Sequence, residues 1–333
     1  MPAPTLSQCA LKSLAKSMDQ QSLCDIIRYT TPAMKSEIIW QLGIILDYPN
    51  LHKFVTFSSG VFDDLFRTEW YLQADLNFKY RELNYFRYFP SIFAYFNDEC
   101  SKKLRRQRTD NDIEVFLRYA SVPINFSLYL VNGGHYFYAN TILEDILTTV
   151  DHFSGNITIA QQGVDLHQIK IIAVTALFHC YNTLYDMTRG EKLFAMKEDL
   201  LRPLNNIGYR NFKQKAAAYL TECSKFCEAK SDMNTSYDLI TQAQQIICAT
   251  MEEEPHPKIV VDTLCQAMWC NLNHCHFKNA KLCIELAVKL ASAIDRDASI
   301  LYFDTLLHYG GFLHFTDQSH DGVIVMEDAY RVS

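Results

Sequence analysis

The sequence predicts an all-α fold built from stacked pairs of antiparallel helices. Gly (11) and Pro (9) are scarce in 333 residues, so long segments run without a residue that would break a helix. Small and apolar residues also recur 42 positions apart: Leu264, Met268, Ala280, Ile284 and Ala287 correspond to Leu306, Gly310, Gly322, Met326 and Ala329. A constant offset over several positions indicates a structural repeat.

Each repeat is predicted to be one helical hairpin. Within a repeat, a Leu followed by a small or flexible residue one turn later marks a first helix, and small residues spaced by whole turns mark a second. This is the tetratricopeptide layout, lengthened beyond its usual period of about 34 residues. Such hairpins stack into an α-solenoid, a superhelix whose first helices line a concave surface that commonly holds peptides.

The chain is predicted to have three segments. These are docking helices at 1–50, an aromatic-rich helical region at 51–120, and the tetratricopeptide-like repeat array at 121–333. The array is divided into five units: a first with its turn at Gly133-Gly134, a second over 166–203 with Gly190 near its turn and Pro203 at its end, a third from Leu220 to Ala243, a fourth after the break at 252–257, and a fifth that reaches Ser333.

The last predicted helix, 323–332, has no capping helix after it. Its residues Val323, Ile324 and Met326 are then expected to be exposed, because an uncapped repeat leaves its stacking surface in water. We therefore expect the 333-residue chain to fray at its C-terminus or to self-associate.

Two short helices are predicted in the docking segment. Leu6, Ala10 and Leu14 lie four residues apart on one helix face, and Pro32 follows two threonines at the start of a second helix. A small residue between two leucines allows a partner backbone to approach closely, as when a helix docks in a groove. On the residues alone, a structural cap for the solenoid is the favoured alternative.

Composition excludes several classes of protein. The net charge of −7 argues against general nucleic-acid binding. For the basic run at 102–108, a solvated loop or helix end is favoured over the alternative of a nuclear-import or acidic-partner patch. The eleven cysteines fall mostly within apolar helical patterns, which indicates free thiols in a reducing compartment. We expect no signal peptide and no integral membrane segment, and a cytoplasmic or nuclear location.

No catalytic motif is found, and we expect the protein not to be an enzyme and to need no cofactor. The most metal-like group is Cys265, Cys270, His274, Cys275, His276 and Cys283. Its spacing departs from the paired ligands of structural zinc sites and follows the helix period of the repeat. We therefore favour a packed helical hairpin with a polar turn over a metal site.

A peptide-binding site is predicted on the first helices of the fourth and fifth units. Asp262 and Asp304 are 42 residues apart, and Trp269 and Asn273 follow Asp262 along one helix face. Two carboxylates beside an indole and an amide suit a basic peptide, because Arg pairs with carboxylates and stacks on aromatic rings. The alternative is that both Asp residues are helix N-terminal charges favoured by the dipole, and the sequence leaves the two interpretations equal.

The order of segments resembles the amyloid protein-binding protein 2 family. The resemblance is carried by the following stretches: Gly134-His135-Tyr136, Lys215-Ala216-Ala217, Val260-Val261-Asp262, Phe277-Lys278-Asn279-Ala280, Ala287-Val288-Lys289-Leu290-Ala291 and Asp304-Thr305-Leu306-Leu307-His308-Tyr309-Gly310. It implies kinesin-light-chain-like repeats and a cytosolic, cytoskeleton-associated protein. It also implies a substrate receptor of cullin-2 RING ubiquitin ligases for proteins with an Arg near the C-terminus.

The resemblance assigns roles to the docking segment. Leu6, Ala10 and Leu14 correspond to the family's elongin C-binding box, and Pro32 begins its cullin-2-facing segment, although Thr31 replaces the usual aliphatic residue. The family's array also continues beyond the point where this sequence ends. The expected function is therefore a ubiquitin-ligase adaptor that binds substrate C-terminal tails. The alternative is a microtubule-associated cargo adaptor that binds the cytoplasmic tail of the amyloid precursor protein in intracellular transport.

Overall fold

The computed structural model describes residues 89–132, 134–155, 157, 160–205, 212–250, 256–294 and 300–332. Within these ranges the secondary structure is helical and contains no strand, which confirms the all-α prediction. The chain divides into two compact units, Met1–Asn156 and Ile157–Ser333, which are described separately below. The predicted segment boundaries at 50 and 120 stay predictions.

The described part of the first unit is a group of four helices: α1 (Phe89–Asp110), α2 (Ile113–Tyr119), α3 (Ser121–Asn132) and α4 (Tyr136–Ser154). Helix α4 packs against both α3 and α1. Phe116 and Phe153 stack in the core with ring centroids 5.5 Å apart, and both are fully buried. The first predicted hairpin is therefore α3–α4, and Gly134 adopts the left-handed conformation at its turn (φ 77°).

The basic run at 102–108 lies on α1. Three of its five cations have carboxylate partners among the described residues: Lys102 pairs with Asp98 at 2.6 Å, Arg106 with Asp110 at 3.4 Å, and the half-buried Arg108 with Asp145 of α4 at 3.7 Å. These pairs fit a solvated helix face better than an uncompensated basic patch.

The second unit contains the remaining described helices. They are α5 (Ala160–Leu184), α6 (Met187–Ala195), α7 (Lys197–Leu201), a 3-10 turn (Arg202–Asn205), α8 (Phe212–Ala229), α9 (Met233–Ala249), α10 (Pro257–Asn273), α11 (Phe277–Ile294), α12 (Ile300–Phe315) and α13 (Ser319–Val332). Helices α8–α9, α10–α11 and α12–α13 form hairpins, which are the third, fourth and fifth predicted units. The first helices α5, α8, α10 and α12 contact one another in that order, and each second helix α9 and α11 packs against the next first helix.

Neighbouring helices of each hairpin are joined by the same backbone turn. A residue with positive φ ends the first helix at Tyr185, Ser231, Cys275 and Asp317. The amide that follows then donates to a carbonyl five residues back, as from Asp232 to Cys227 at 2.8 Å. This is the Schellman arrangement, which satisfies the last carbonyls of the helix.

The position of Gly190 in the second unit differs from the prediction. The turn of this unit lies at Tyr185, whereas Gly190 lies inside α6. A Cβ atom at Gly190 would lie 2.7 Å from the Phe226 ring, so this glycine is required by close packing against α8. Pro203 lies in the 3-10 turn that follows α7, in agreement with its predicted place at the end of the unit.

Small residues lie where the helices of a hairpin cross, as the repeat pattern predicts. In the fifth unit a Cβ at Gly322 would lie 3.0 Å from the Gly310 carbonyl oxygen. In the third unit the hydroxyls of Ser224 and Ser236 each donate to the other residue's backbone carbonyl at 2.9 Å. The last helix begins at Ser319, four residues before the predicted start, and its side chains at 323, 324 and 326 are exposed.

Candidate peptide-binding surface

A line of polar side chains follows the first helices of the second unit. We call it the first-helix surface; its members are Gln168, His179 and Asn182 on α5, Lys215, Glu222 and Lys225 on α8, Lys258, Asp262 and Trp269 on α10, and Asp304 and His308 on α12. Most of them are partly exposed, although the helices that carry them are otherwise largely apolar on their packed faces.

Glu222 lies at the junction of α5 and α8 and is only 6% exposed. Its carboxylate is close to His179 Nδ1 at 3.1 Å and accepts hydrogen bonds from Asn182 Nδ2 at 2.9 Å and Lys225 Nζ at 2.7 Å. Burial alone would raise the pKa of Glu222, but Lys225 and His179 hold it well below its usual value. Glu222 is therefore a buried carboxylate that stays ionised because its neighbours compensate the charge.

Lys225 and Lys258 extend this network to α10. Lys258 Nζ lies 3.1 Å from Asp262 Oδ2, and both side chains are a little over one third exposed. Asp262 raises the pKa of Lys258. Burial opposes ionisation of Asp262, but Lys258 and Lys225 together lower its pKa. Carboxylates and ammonium groups therefore alternate across α8 and α10.

Both predicted carboxylates lie beyond the first turn of their helices. Asp262 follows Pro257, the first residue of α10, by five positions, and Asp304 follows Ile300 of α12 by four. Because the dipole effect falls off within the first turn, helix N-terminal stabilisation does not account for these residues. Asp304 is exposed, and it acts on Lys258 together with Asp262, so both carboxylates belong to one charged cluster.

Trp269 joins α10 to α12. Its indole nitrogen donates to His308 Nδ1 at 2.9 Å, and its ring packs against Gly311, where a Cβ would lie 3.1 Å from the nearest ring atom. Because Nδ1 accepts this bond, the neutral His308 carries its proton on Nε2. Burial lowers the pKa of His308, and the nearby Lys225 lowers it further. Part of the indole therefore packs between α10 and α12, and the Trp269 side chain is only partly exposed.

Asn273 lies at the C-terminal end of α10, and it is exposed. Its amide donates to Glu228 at 2.9 Å and to the Met233 sulfur at 3.6 Å. Of the predicted peptide-binding residues, the structure therefore brings Asp262 and Asp304 into one charged cluster and Trp269 beside His308. Asn273 is paired with groups at the edge of the surface.

Four residues of this surface were not predicted from the sequence: Glu222, Lys225, Lys258 and His308. A signal for them exists, because charged residues three or four positions apart interrupt otherwise apolar first helices, as Glu222 and Lys225 do on α8. The lysines also alter the predicted peptide-binding site. Asp262 is already paired with the Lys258 ammonium, so any ligand cation must compete with Lys258 for this carboxylate.

The predicted ligase-docking residues Leu6, Ala10, Leu14 and Pro32 lie outside the part of the chain that the structure describes. Binding of elongin C and cullin-2 therefore stays a prediction.

The cysteines of the fourth unit have separate environments, whereas the rings of His274 and His276 stack on each other with centroids 6.2 Å apart. Cys270 lies among the hydroxyls of Ser224 and Ser236, and Cys283 accepts a bond from Gln244 at 3.8 Å. Cys275 is exposed at the hairpin turn. Across the described ranges, no three His, Cys, Asp or Glu side chains are grouped so that they could hold a metal ion. None of the helices in those ranges is long and apolar enough to cross a membrane.

Among known proteins, similarity to this chain is found at the level of structure. No protein-family model matches the chain, and no curated protein matches its sequence. Among solved structures, the chain is similar to BtubC (BKLC) from P. vanneervenii, with a TM-score of 0.49 and 12% sequence identity. The similarity covers 72% of this chain and 89% of that chain.

Proposed function

We propose that this chain is a protein-binding adaptor that holds an extended basic peptide on its first-helix surface. In the full proposal it is the substrate-recognition subunit of a cullin-RING ubiquitin ligase and binds the C-terminal tails of target proteins. The observation that carries the peptide-binding part is the pair Asp262 and Asp304, one repeat apart on neighbouring first helices and outside the first turn of each.

An Arg side chain of a ligand has a physical advantage at this pair. Lys258 holds Asp262 through one ammonium contact at 3.1 Å, and about a third of each side chain is accessible. A guanidinium can instead form two parallel hydrogen bonds to one carboxylate, and it is more weakly hydrated than an ammonium. An incoming Arg can thus compete with Lys258 for this pair of carboxylates, and it can bind Asp304, the more exposed of the two.

The ligase part of the proposal rests on different residues. It is supported by the pattern Leu6, Ala10 and Leu14, by Pro32 after it, and by the family resemblance of the sequence. The cargo-adaptor alternative uses the same peptide surface and needs neither elongin C nor cullin-2. In this alternative the chain binds the cytoplasmic tails of cargo proteins, such as the amyloid precursor protein, for their transport along microtubules. Neither version gives a catalytic role to this chain.

Peptide titration tests the first-helix surface. In the double variant Asp262→Asn, Asp304→Asn, binding of a labelled Arg-bearing peptide should weaken by about 1–3 kcal/mol, because the carboxylates are partly exposed and already paired. Far-UV circular dichroism should show unchanged helical content. The matched control Asp238→Asn, Asp328→Asn removes the same charge from the second helices α9 and α13 and should bind normally. Unchanged affinity in the first variant contradicts the assignment.

Elongin C pull-down separates the ligase from the cargo adaptor. The double variant Leu6→Asp, Leu14→Asp places two charges on the predicted docking face, so it should lose elongin C while its melting temperature and its Arg-peptide affinity stay the same. If the wild-type chain captures no elongin C, or if the variant captures it equally well, the ligase role is wrong and the cargo adaptor is favoured.

A further inference from the structure

Lys215 is a half-buried cation at the α5 side of the first-helix surface. It lies seven residues before Glu222 and ten before Lys225, so the three side chains share one face of α8. Its ammonium donates to the Gln168 amide oxygen of α5 at 2.7 Å. A neutral amide compensates an ammonium less well than a carboxylate does.

The other two lysines of the surface provide a comparison. Lys225 lies 2.7 Å from Glu222, and Lys258 lies 3.1 Å from Asp262. Among the residues that the structure describes, no carboxylate lies within ion-pair distance of Lys215, and Asp165 acts on it only from farther away. Burial accordingly lowers the pKa of Lys215, whereas that of Lys258 is raised by Asp262.

We propose that Lys215 and Gln168 form an anion-binding subsite that takes the side-chain carboxylate of an Asp or Glu residue in the bound peptide. The ammonium has two further N–H donors, and the Gln168 amide nitrogen is an additional donor beside it. A carboxylate at this position would make two charge-assisted contacts and would supply a counter-ion for the half-buried ammonium, which none of the described residues provides at ion-pair distance. This inference rests on the proposed function, because it extends the same peptide surface from Asp304 toward α5.

The position of Lys215 also fixes the spacing of the ligand's charges. Lys215 lies on α8 and Asp304 on α12, so one first helix separates them. Packed helices have axes about 8–10 Å apart, which gives roughly 16–20 Å across two steps. An extended peptide advances about 3.3 Å per residue, so the acidic residue and the Arg should be about five or six residues apart. The inferred ligand is therefore an extended segment with one acidic and one basic side chain at that spacing.

A structural role for Lys215 makes a different prediction. If the Lys215–Gln168 bond only joins α5 to α8, then Lys215→Gln, which can keep one hydrogen bond, should alter stability and leave peptide preference unchanged. If Lys215 binds the ligand carboxylate, the same variant should fold normally and lose only its preference for acidic peptides. Lys215→Arg keeps the charge and should keep the preference.

The probe is a set of labelled Gly/Ser peptides, each made with an amidated and with a free C-terminus, used with the full-length chain. Each peptide carries one Arg and one Glu, roughly three to eight residues apart. Each has a partner in which Gln replaces Glu. Fluorescence anisotropy should show that Glu peptides bind roughly fivefold more tightly than Gln peptides at a spacing of five or six. This preference should vanish in Lys215→Gln and persist in Lys213→Gln, which removes an exposed charge from the same helix.

The outcomes separate this inference from the proposed function. If Arg peptides bind but the wild-type chain shows no Glu preference at any spacing, or if Lys213→Gln loses the preference equally, the anion subsite is wrong and the peptide surface stands. If a free C-terminal carboxylate is required in place of Glu, the side-chain assignment is wrong. If no Arg peptide binds, both the proposed function and the subsite are overturned.

Discussion

Removal of the Glu222 carboxylate should destabilise the second unit strongly. The carboxylate is 6% exposed and has three side-chain partners, His179, Asn182 and Lys225, at 3.1, 2.9 and 2.7 Å. In Glu222→Ala, Lys225 loses its nearest counter-ion in a partly buried position. Breaking a buried pair from one side costs about 3–5 kcal/mol, and Lys225 is only 28% exposed, so we expect a loss near the lower end of this range.

A second variant tests whether the uncompensated charge is the cause. In Glu222→Met, Lys225→Met both charges are replaced by flexible apolar side chains, which should recover much of the loss. Urea unfolding followed by circular dichroism gives the free energy of unfolding of each variant. Hydrogen exchange of the α8 amides should rank the wild type and the two variants in the same order of stability. A loss below about 1 kcal/mol in Glu222→Ala, typical of a surface pair, refutes the buried-network argument. A double variant less stable than Glu222→Ala also refutes it.

Two further predictions concern packing and pH. Gly322→Ala should destabilise the chain by about 1–3 kcal/mol, because its Cβ would lie 3.0 Å from the Gly310 carbonyl oxygen. Gly310→Ala should cost less, because its Cβ would meet mainly the flexible Met326 side chain and would lie 3.3 Å from the Gly322 carbonyl oxygen. Equal melting temperatures for the two variants contradict this. Burial lowers the pKa of His256 to about 4 in the folded state, whereas an unperturbed His has a pKa of about 6.5. Between these two pH values the unfolded state binds the extra proton, so the free energy of unfolding rises with pH, by up to about 3 kcal/mol for this group. In His256→Gln this part of the rise should be missing, and parallel stability curves for variant and wild type from pH 4 to 6.5 contradict the assignment.

The repeat architecture could be predicted because it depends on packing volume. Small residues must lie where two helix backbones cross, so Ala280 and Gly322 recur at a fixed offset and can be recognised. The turns could not be located as reliably. Each hairpin turn that the structure describes in the second unit has a residue other than Gly in the left-handed conformation, such as Tyr185 or Ser231, so the pattern of helix-breaking residues indicated Gly190 instead. That glycine is required by the Phe226 ring, which is remote in sequence.

The charged network could not be predicted from the sequence, for a different reason. Helical periodicity shows which residues share a face, but it does not show which residue of the next helix lies opposite. Lys225, for example, pairs with Glu222 on its own helix at 2.7 Å, and Asp262 on the next helix also contributes to raising its pKa. The sequence therefore identified Asp262 and Asp304 as a pair of carboxylates and missed the lysines that compensate them.

Polar bonds between first helices place the charged side chains of the surface in fixed register. Thr221 and Thr263 hydroxyls lie 3.0 Å apart between α8 and α10, and Trp269 donates to His308 at 2.9 Å between α10 and α12. Apolar contacts alone would tolerate small slides of one helix along another, whereas buried directional bonds do not, because a slide would leave their polar groups unpaired. The distance from Lys215 to Asp304 is thus set before a peptide arrives, which favours ligands with one charge spacing over those with the same charges at another.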